Sequence, residues 1–228
     1  MSLNEQAVHV IEGEAIRLDT SDVSKKVLRN TYALLSMTLA FSAVVAALGV
    51  AFHWPAPGIL LTLVGFYGLL FGVHRFQDSG TGVLMVFALT GFMGYTLGPI
   101  VSLYLNLPHG GDIVMMAMGG TAAIFLTLSG LALNPRRNFS FMGNFLMAGM
   151  VVVLLASLVG IFYPVPALTL TISAAMVLLM SGMILFETSN IVHGGETNYV
   201  LATVSLFVSI YNLFLSLLQL LGVFGSDD

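Results

Sequence analysis

From Tyr32 onward, long uncharged stretches alternate with short polar breaks. A bilayer core takes roughly 20 apolar residues per helix, and shorter runs are tolerated where tilt or neighbours compensate. On that ruler the pattern predicts seven spans, at 32–52, 59–73, 82–105, 113–133, 141–162, 167–186 and 199–223. The breaks carry helix-stopping residues: Pro55 and Pro57 after the first span, Pro108 with Gly110 and Gly111 after the third, Asn134-Pro135 after the fourth, Pro164 and Pro166 after the fifth. Gly98-Pro99 inside the third span is expected to bend or break it.

The polar residues of the last span are patterned too. Ser205, Ser209, Asn212, Ser216 and Gln219 step by four, three, four and three, which lines them along one helix face. A helix ringed by lipid has no use for such a stripe, so the last span is expected inside the bundle. The stripe would serve either as interhelical hydrogen bonding or as a water-lined path or groove. Small residues at helical spacing (Gly68 and Gly72, Gly91, Gly94 and Gly98, Ala156 and Gly160) predict close helix packing.

Composition fits this architecture. Hydrophobic residues make up 57% of the chain and charged ones 8%, against about a quarter in soluble domains. The fold class is therefore all-α, a polytopic membrane protein. Residues 1–30 form a polar N-terminal tail that would stay flexible, residues 31–224 the seven-helix domain, and residues 225–228 a short C-terminal tail. Arg17, Lys25, Lys26, Arg29, Arg75, Arg136 and Arg137 are the whole basic complement, and all fall in the tail or in loops on one side of the alternating spans. The positive-inside rule makes that side cytoplasmic. Seven spans then put the C-terminus outside, whereas a re-entrant last segment would return it to the cytoplasm. The connector between the sixth and seventh spans has no basic residue, so its side follows from counting.

Several chemistries lack their residues. There is no cysteine, and a net charge of -4 divided along the chain gives no nucleic-acid surface. No Lys, Arg, Asp, Glu or His lies deep in a span as drawn, which argues against a proton pump and leaves a retinal-type Schiff base without its lysine. All five histidines (His9, His53, His74, His109, His193) fall in the tail or loops, which removes the Ser–His pair of an intramembrane serine protease. No cofactor is implied, and Glu187, His193 and Glu196 match no metal-ligand spacing. Glu187 ends the sixth span and opens the polar connector 187–199. A shielded mouth would make it a proton sensor; a wet one would make it an ordinary helix-end acid.

Three segments resemble the Bax inhibitor-1 family. They are Val27-Leu-Arg-Asn-Thr-Tyr-Ala-Leu-Leu35, Asn138-Phe-Ser-Phe-Met-Gly143, and the long stretch from Phe186-Glu-Thr-Ser189 through Gly195-Glu-Thr-Asn-Tyr199 to Phe214. The last is similar to the bacterial YccA-type branch. The resemblance implies a seven-helix bundle with the last helix at its centre. It also implies one of two activities: binding an FtsH-type membrane AAA protease complex and restraining its attack on membrane proteins, or a pH-sensitive calcium leak. In the leak, two carboxylates near the cytoplasmic mouth share a proton. Glu187 fills the first of those positions, but Ser209 stands where many members have the second, an aspartate, so Glu187 and Ser209 are the candidate sensor or gate. Asn138 likewise replaces an acidic residue common at its position. The reading that follows is a non-enzymatic, multi-pass bacterial inner-membrane regulator with the bilayer and the protease as partners, and calcium under the competing reading.

Overall fold

In the computed structural model the described residues are 3–163 and 165–224, with side chains from Asp22 to Val223 apart from Pro164. The C-terminal tail at 225–228, and the side chains of His9 and Arg17, lie outside them. The chain forms α1 (Leu3–Ala51), α2 (Ile59–Phe76), α3 (Gly80–Leu105), α4 (Gly110–Ala132), a 3-10 turn (Ser140–Met142), α5 (Gly143–Phe162), α6 (Pro166–Val192) and α7 (Tyr199–Phe224). There is no strand among the described residues, and seven helices are long and apolar enough to cross a membrane.

The helix ends follow the local chemistry. His53 and His109 take positive φ (51° and 54°) where α1 ends and α4 begins. Pro166 opens α6, where its missing N–H is no loss. α3 runs through Pro99 without a break, so the Gly98-Pro99 pair does not interrupt the span. α1 begins at Leu3, which makes the segment ahead of the first span helical in backbone. Gly13 is its lone glycine and it has no proline, so good helix formers prevail.

α7 is the hub. Most of its apolar stretch is buried inside the bundle, whereas those of α2 and α5 are almost wholly on the outside. It packs on α1, α3, α4 and α6, while α2 rides mainly on α3 and α5 on α6. Phe207, Leu206, Leu213 and Val200 are buried in the principal core, with Leu35, Leu89 and Ile184 from α1, α3 and α6. Leu218 joins Ile113 and Ala117 in a second cluster with α4.

Close backbone approach is concentrated between α1 and α3. A Cβ on Gly94 would sit 2.5 Å from the Ser42 carbonyl oxygen, and one on Gly98 would sit 3.1 Å from both the Ala46 carbonyl oxygen and Gly49 Cα. With no hydrophobic drive between helices in lipid, such contact is what dispersion needs. Gly68 departs from the expectation: it is exposed, with nothing within 4 Å of its added Cβ.

Candidate functional site

α6 does not end at Phe186. It continues to Val192, and Glu187, Thr188 and Ser189 are buried within it. The polar run had been expected to form a loop mouth, and no ionisable group had been expected inside a span; the structure corrects both. Nothing from Glu187 to Val192 breaks a helix. The helix stops where glycines arrive, with Gly194 at φ 75°. The polar side chains of that last stretch meet partners on neighbouring elements rather than water.

Each of the three turns a polar atom to a different element. Glu187, 9% exposed, meets α7: Ser209 Oγ donates to its carboxyl group, with Oε2 at 3.1 Å and Oε1 at 3.3 Å. Thr188 Oγ1 lies 3.4 Å from the Tyr32 hydroxyl of α1, which in turn is hydrogen-bonded to Ser129 Oγ of α4. Ser189 Oγ accepts the Phe139 backbone N–H at 2.9 Å and so holds the α4–α5 loop. One turn of α6 thus fastens three other parts of the molecule directly and α4 through Tyr32.

The connector beyond α6 is tied down as well. His193 Nδ1 lies 2.7 Å from the Ser189 carbonyl and its Nε2 3.3 Å from the Pro135 carbonyl. Asn198 caps α7: its Oδ1 accepts the Val200 N–H at 2.9 Å and the Leu201 N–H at 3.4 Å. Its Nδ2 donates to Asp78 Oδ1 at 2.9 Å, linking α7 to the α2–α3 loop. Glu196 accepts the Asn198 N–H at 2.7 Å. His193 and Glu196 are therefore engaged apart from Glu187, and no group of three His, Cys, Asp or Glu side chains gathers to hold a metal among the described residues.

The stripe on α7 divides. Ser209 and Ser216 are buried, Asn212 and Gln219 are half-buried, and Ser205 is exposed. Gln219 Oε1 accepts from Ser173 Oγ of α6 at 2.6 Å. Ser216 donates to the Asn212 carbonyl and Asn212 Nδ2 to the Val208 carbonyl, both at 2.8 Å, so these two turn back on their own helix. A stripe meeting protein along its whole length would bury Ser205 too; the exposed hydroxyl shows that no helix covers the stripe at its first step. On the opposite side of α7, the Tyr211 hydroxyl lies 2.9 Å from Thr96 Oγ1 of α3.

Sequence reasoning missed Tyr32, Ser129, Thr188, Ser189, Ser173 and the Tyr211–Thr96 contact. Ser173 alone had a readable signal, as a serine that follows Thr169 and Thr171 at alternate positions on an apolar helix. Thr188 and Ser189 adjoin Glu187 on α6, but their partners are hydroxyls and a backbone N–H on other elements, and nothing in a linear pattern pairs them.

Comparison with known proteins bears on this arrangement. A family model described as inhibitor of apoptosis-promoting Bax1 matches residues 24–226. The chain is 55% identical over 203 residues to the Escherichia coli K12 protein named modulator of FtsH protease YccA, covering 89% of this chain and 92% of that one. It is 52% identical over 202 residues to an uncharacterised Pseudomonas aeruginosa protein, covering 89% and 91%. It is 41% identical over 209 residues to a Vibrio cholerae membrane protein, covering 90% and 92%. The matched residues include the whole α6–α7 site.

Proposed function

Because the chain belongs to the family described as inhibitors of apoptosis-promoting Bax1, and is a multi-pass membrane protein, we propose that it binds an FtsH-type AAA protease in the bacterial inner membrane and restrains its attack on membrane proteins. The observation that carries this reading is the 55% identity, along nearly the full length of both chains, to the protein named as modulator of that protease. It acts without catalysis, through binding. Its N-terminus faces the cytoplasm and its C-terminus the opposite side, as the placement of the basic residues supports.

The Glu187–Ser209 contact favours this reading over the calcium leak. A shared-proton latch takes two carboxyl groups, and here one carboxyl group meets one hydroxyl. We assign the pair to fixing α7 against α6 at the cytoplasmic end of the hub, so that a rigid surface is presented to the protease. The cytoplasmic Lys25, Lys26 and Arg29 are exposed and favour an anionic lipid surface.

The test is co-purification of the co-expressed protease from membranes, with the full chain and with a chain lacking the residues before Ser24, together with turnover of a membrane substrate. Retention of the protease and slowed turnover are expected with the full chain. A protease that is not retained by either form, or turnover that ignores this protein, overturns the reading.

A further inference from the structure

α7 is the most buried helix, yet one edge of it is uncovered. Ser209 turns to α6 through Glu187, and Tyr211 turns to α3 through Thr96. Between those two directions on the helical wheel, in the first half of α7, lie Leu201, Ser205, Val208 and Asn212; farther along the same arc Gln219 is bonded to Ser173 of α6, which closes the edge there. Ser205 is exposed and the other three are half-buried. The surrounding helices agree with that exposure. α1 and α4 close the other side, since both touch α6 and both touch α3. No Cα of α2 or α3 comes within 8 Å of a Cα of α6. A slot therefore runs between α6 and the α2–α3 pair, with α7 as its floor.

The floor is apolar with two polar places. The Ser205 hydroxyl has no hydrogen-bond partner among the described residues, unlike Thr203 and Ser216, which donate to carbonyls one turn back. Asn212 spends its Nδ2 on the Val208 carbonyl, and its Oδ1 accepts nothing among the described residues. These two groups are seven residues apart, two turns along one edge, about 10 Å. Acyl chains in the slot would leave the Asn212 Oδ1 without a donor and the Ser205 hydroxyl with only a carbonyl of its own helix to meet. A helix carrying small or hydroxyl-bearing residues two turns apart would meet both and still fill the apolar floor, the arrangement that drives association inside a bilayer.

We propose that this slot seats a transmembrane helix of the protease, with small or hydrogen-bonding residues two turns apart facing Ser205 and Asn212. The inference rests on the protease-binding reading above and names its contact surface.

The experiment places a photoreactive benzophenone residue at Ser205, at Val208 and, as lipid-facing controls, at Leu154 of α5 and Leu178 of α6, both exposed. Each chain is irradiated in membranes containing the co-expressed protease, and adducts are mapped by mass spectrometry. Adducts with a membrane helix of the protease are expected from Ser205 and Val208 and not from the controls. In parallel, Ser205→Leu should reduce retained protease by roughly threefold to tenfold, the loss of one interhelical hydrogen bond, while leaving the melting temperature of the free protein in detergent unchanged. If the protease is retained but the slot positions give adducts only with lipid, with a second copy of this chain or with its own N-terminal segment, the slot proposal falls and the protease reading stands. If the unmodified chain retains no protease at all, both fall.

Discussion

Ser209 Oγ lies 3.1 Å from Glu187 Oε2, a buried polar contact between the central helix and α6, which meet again through Gln219 and Ser173 toward the other end. Both residues are buried, and the hydroxyl is the hydrogen-bond donor that reaches this carboxyl group among the described residues. Removing one member of a buried polar pair leaves the other unmatched, which makes the contact measurable.

Ser209→Ala should lower stability by about 1–2 kcal/mol, because the Glu187 carboxyl group loses its donor. Glu187→Gln retains an acceptor for Ser209 and should be the milder change. A double-mutant cycle on unfolding in detergent micelles should give a coupling of about 0.6 kcal/mol and no more than about 1.7, the range found for polar pairs between membrane helices. Zero coupling would mean that the two side chains lie side by side without holding α6 to α7.

Asn198 joins two jobs in one side chain, the cap of α7 and the link to Asp78. Asn198→Ala should lower stability by about 1 kcal/mol through the lost cap. Hydrogen exchange should quicken both in the first turn of α7 and in the α2–α3 loop, since Asp78 is released with it. Quickening confined to α7 would show that the link to Asp78 does not hold the loop.

How much of this was legible from the chain depends on what each feature asks of the sequence. The seven spans were legible because helix length against membrane thickness is a one-dimensional test. The central place of α7 was legible because Ser209, Asn212, Ser216 and Gln219 recur at helical spacing, and lipid offers such a stripe nothing. The depth of Glu187 was not legible: hydropathy cannot tell a polar turn covered by neighbours from a polar loop, and α6 runs on past the end of its uncharged stretch at Phe186 until the glycines arrive. The exposure of Ser205 was hidden for the converse reason. Periodicity places a residue on a face but does not say whether another helix covers every step of that face.

The glycines make the same distinction testable. Gly94→Ala puts a methyl group 2.5 Å from the Ser42 carbonyl oxygen, a backbone atom of α1 that cannot swing away. A loss of about 1–3 kcal/mol is expected, as for overpacking elsewhere. Gly68→Ala adds its methyl to open space and should be neutral or slightly stabilising, because alanine favours a helix. Equal losses at the two positions in detergent unfolding would contradict the close α1–α3 approach.

The absence of native cysteine allows topology to be read with single reporters. α7 is 26 residues long, about 39 Å at the helical rise, which exceeds a hydrocarbon core of about 30 Å. A helix of that length through the middle of the bundle should cross fully, so the connector before it and the residues after it lie on opposite sides. Thr197 and Leu107 are exposed in loops expected on opposite sides. A membrane-impermeant maleimide applied to intact spheroplasts should modify Leu107→Cys and Ser226→Cys, and should reach Thr197→Cys only after the membrane is permeabilised. Modification of Thr197→Cys in intact spheroplasts would invert the orientation drawn from the basic residues. Protection of Ser226→Cys alongside Thr197→Cys would mean that α7 enters and returns, and a hub built on a crossing helix would have to be abandoned.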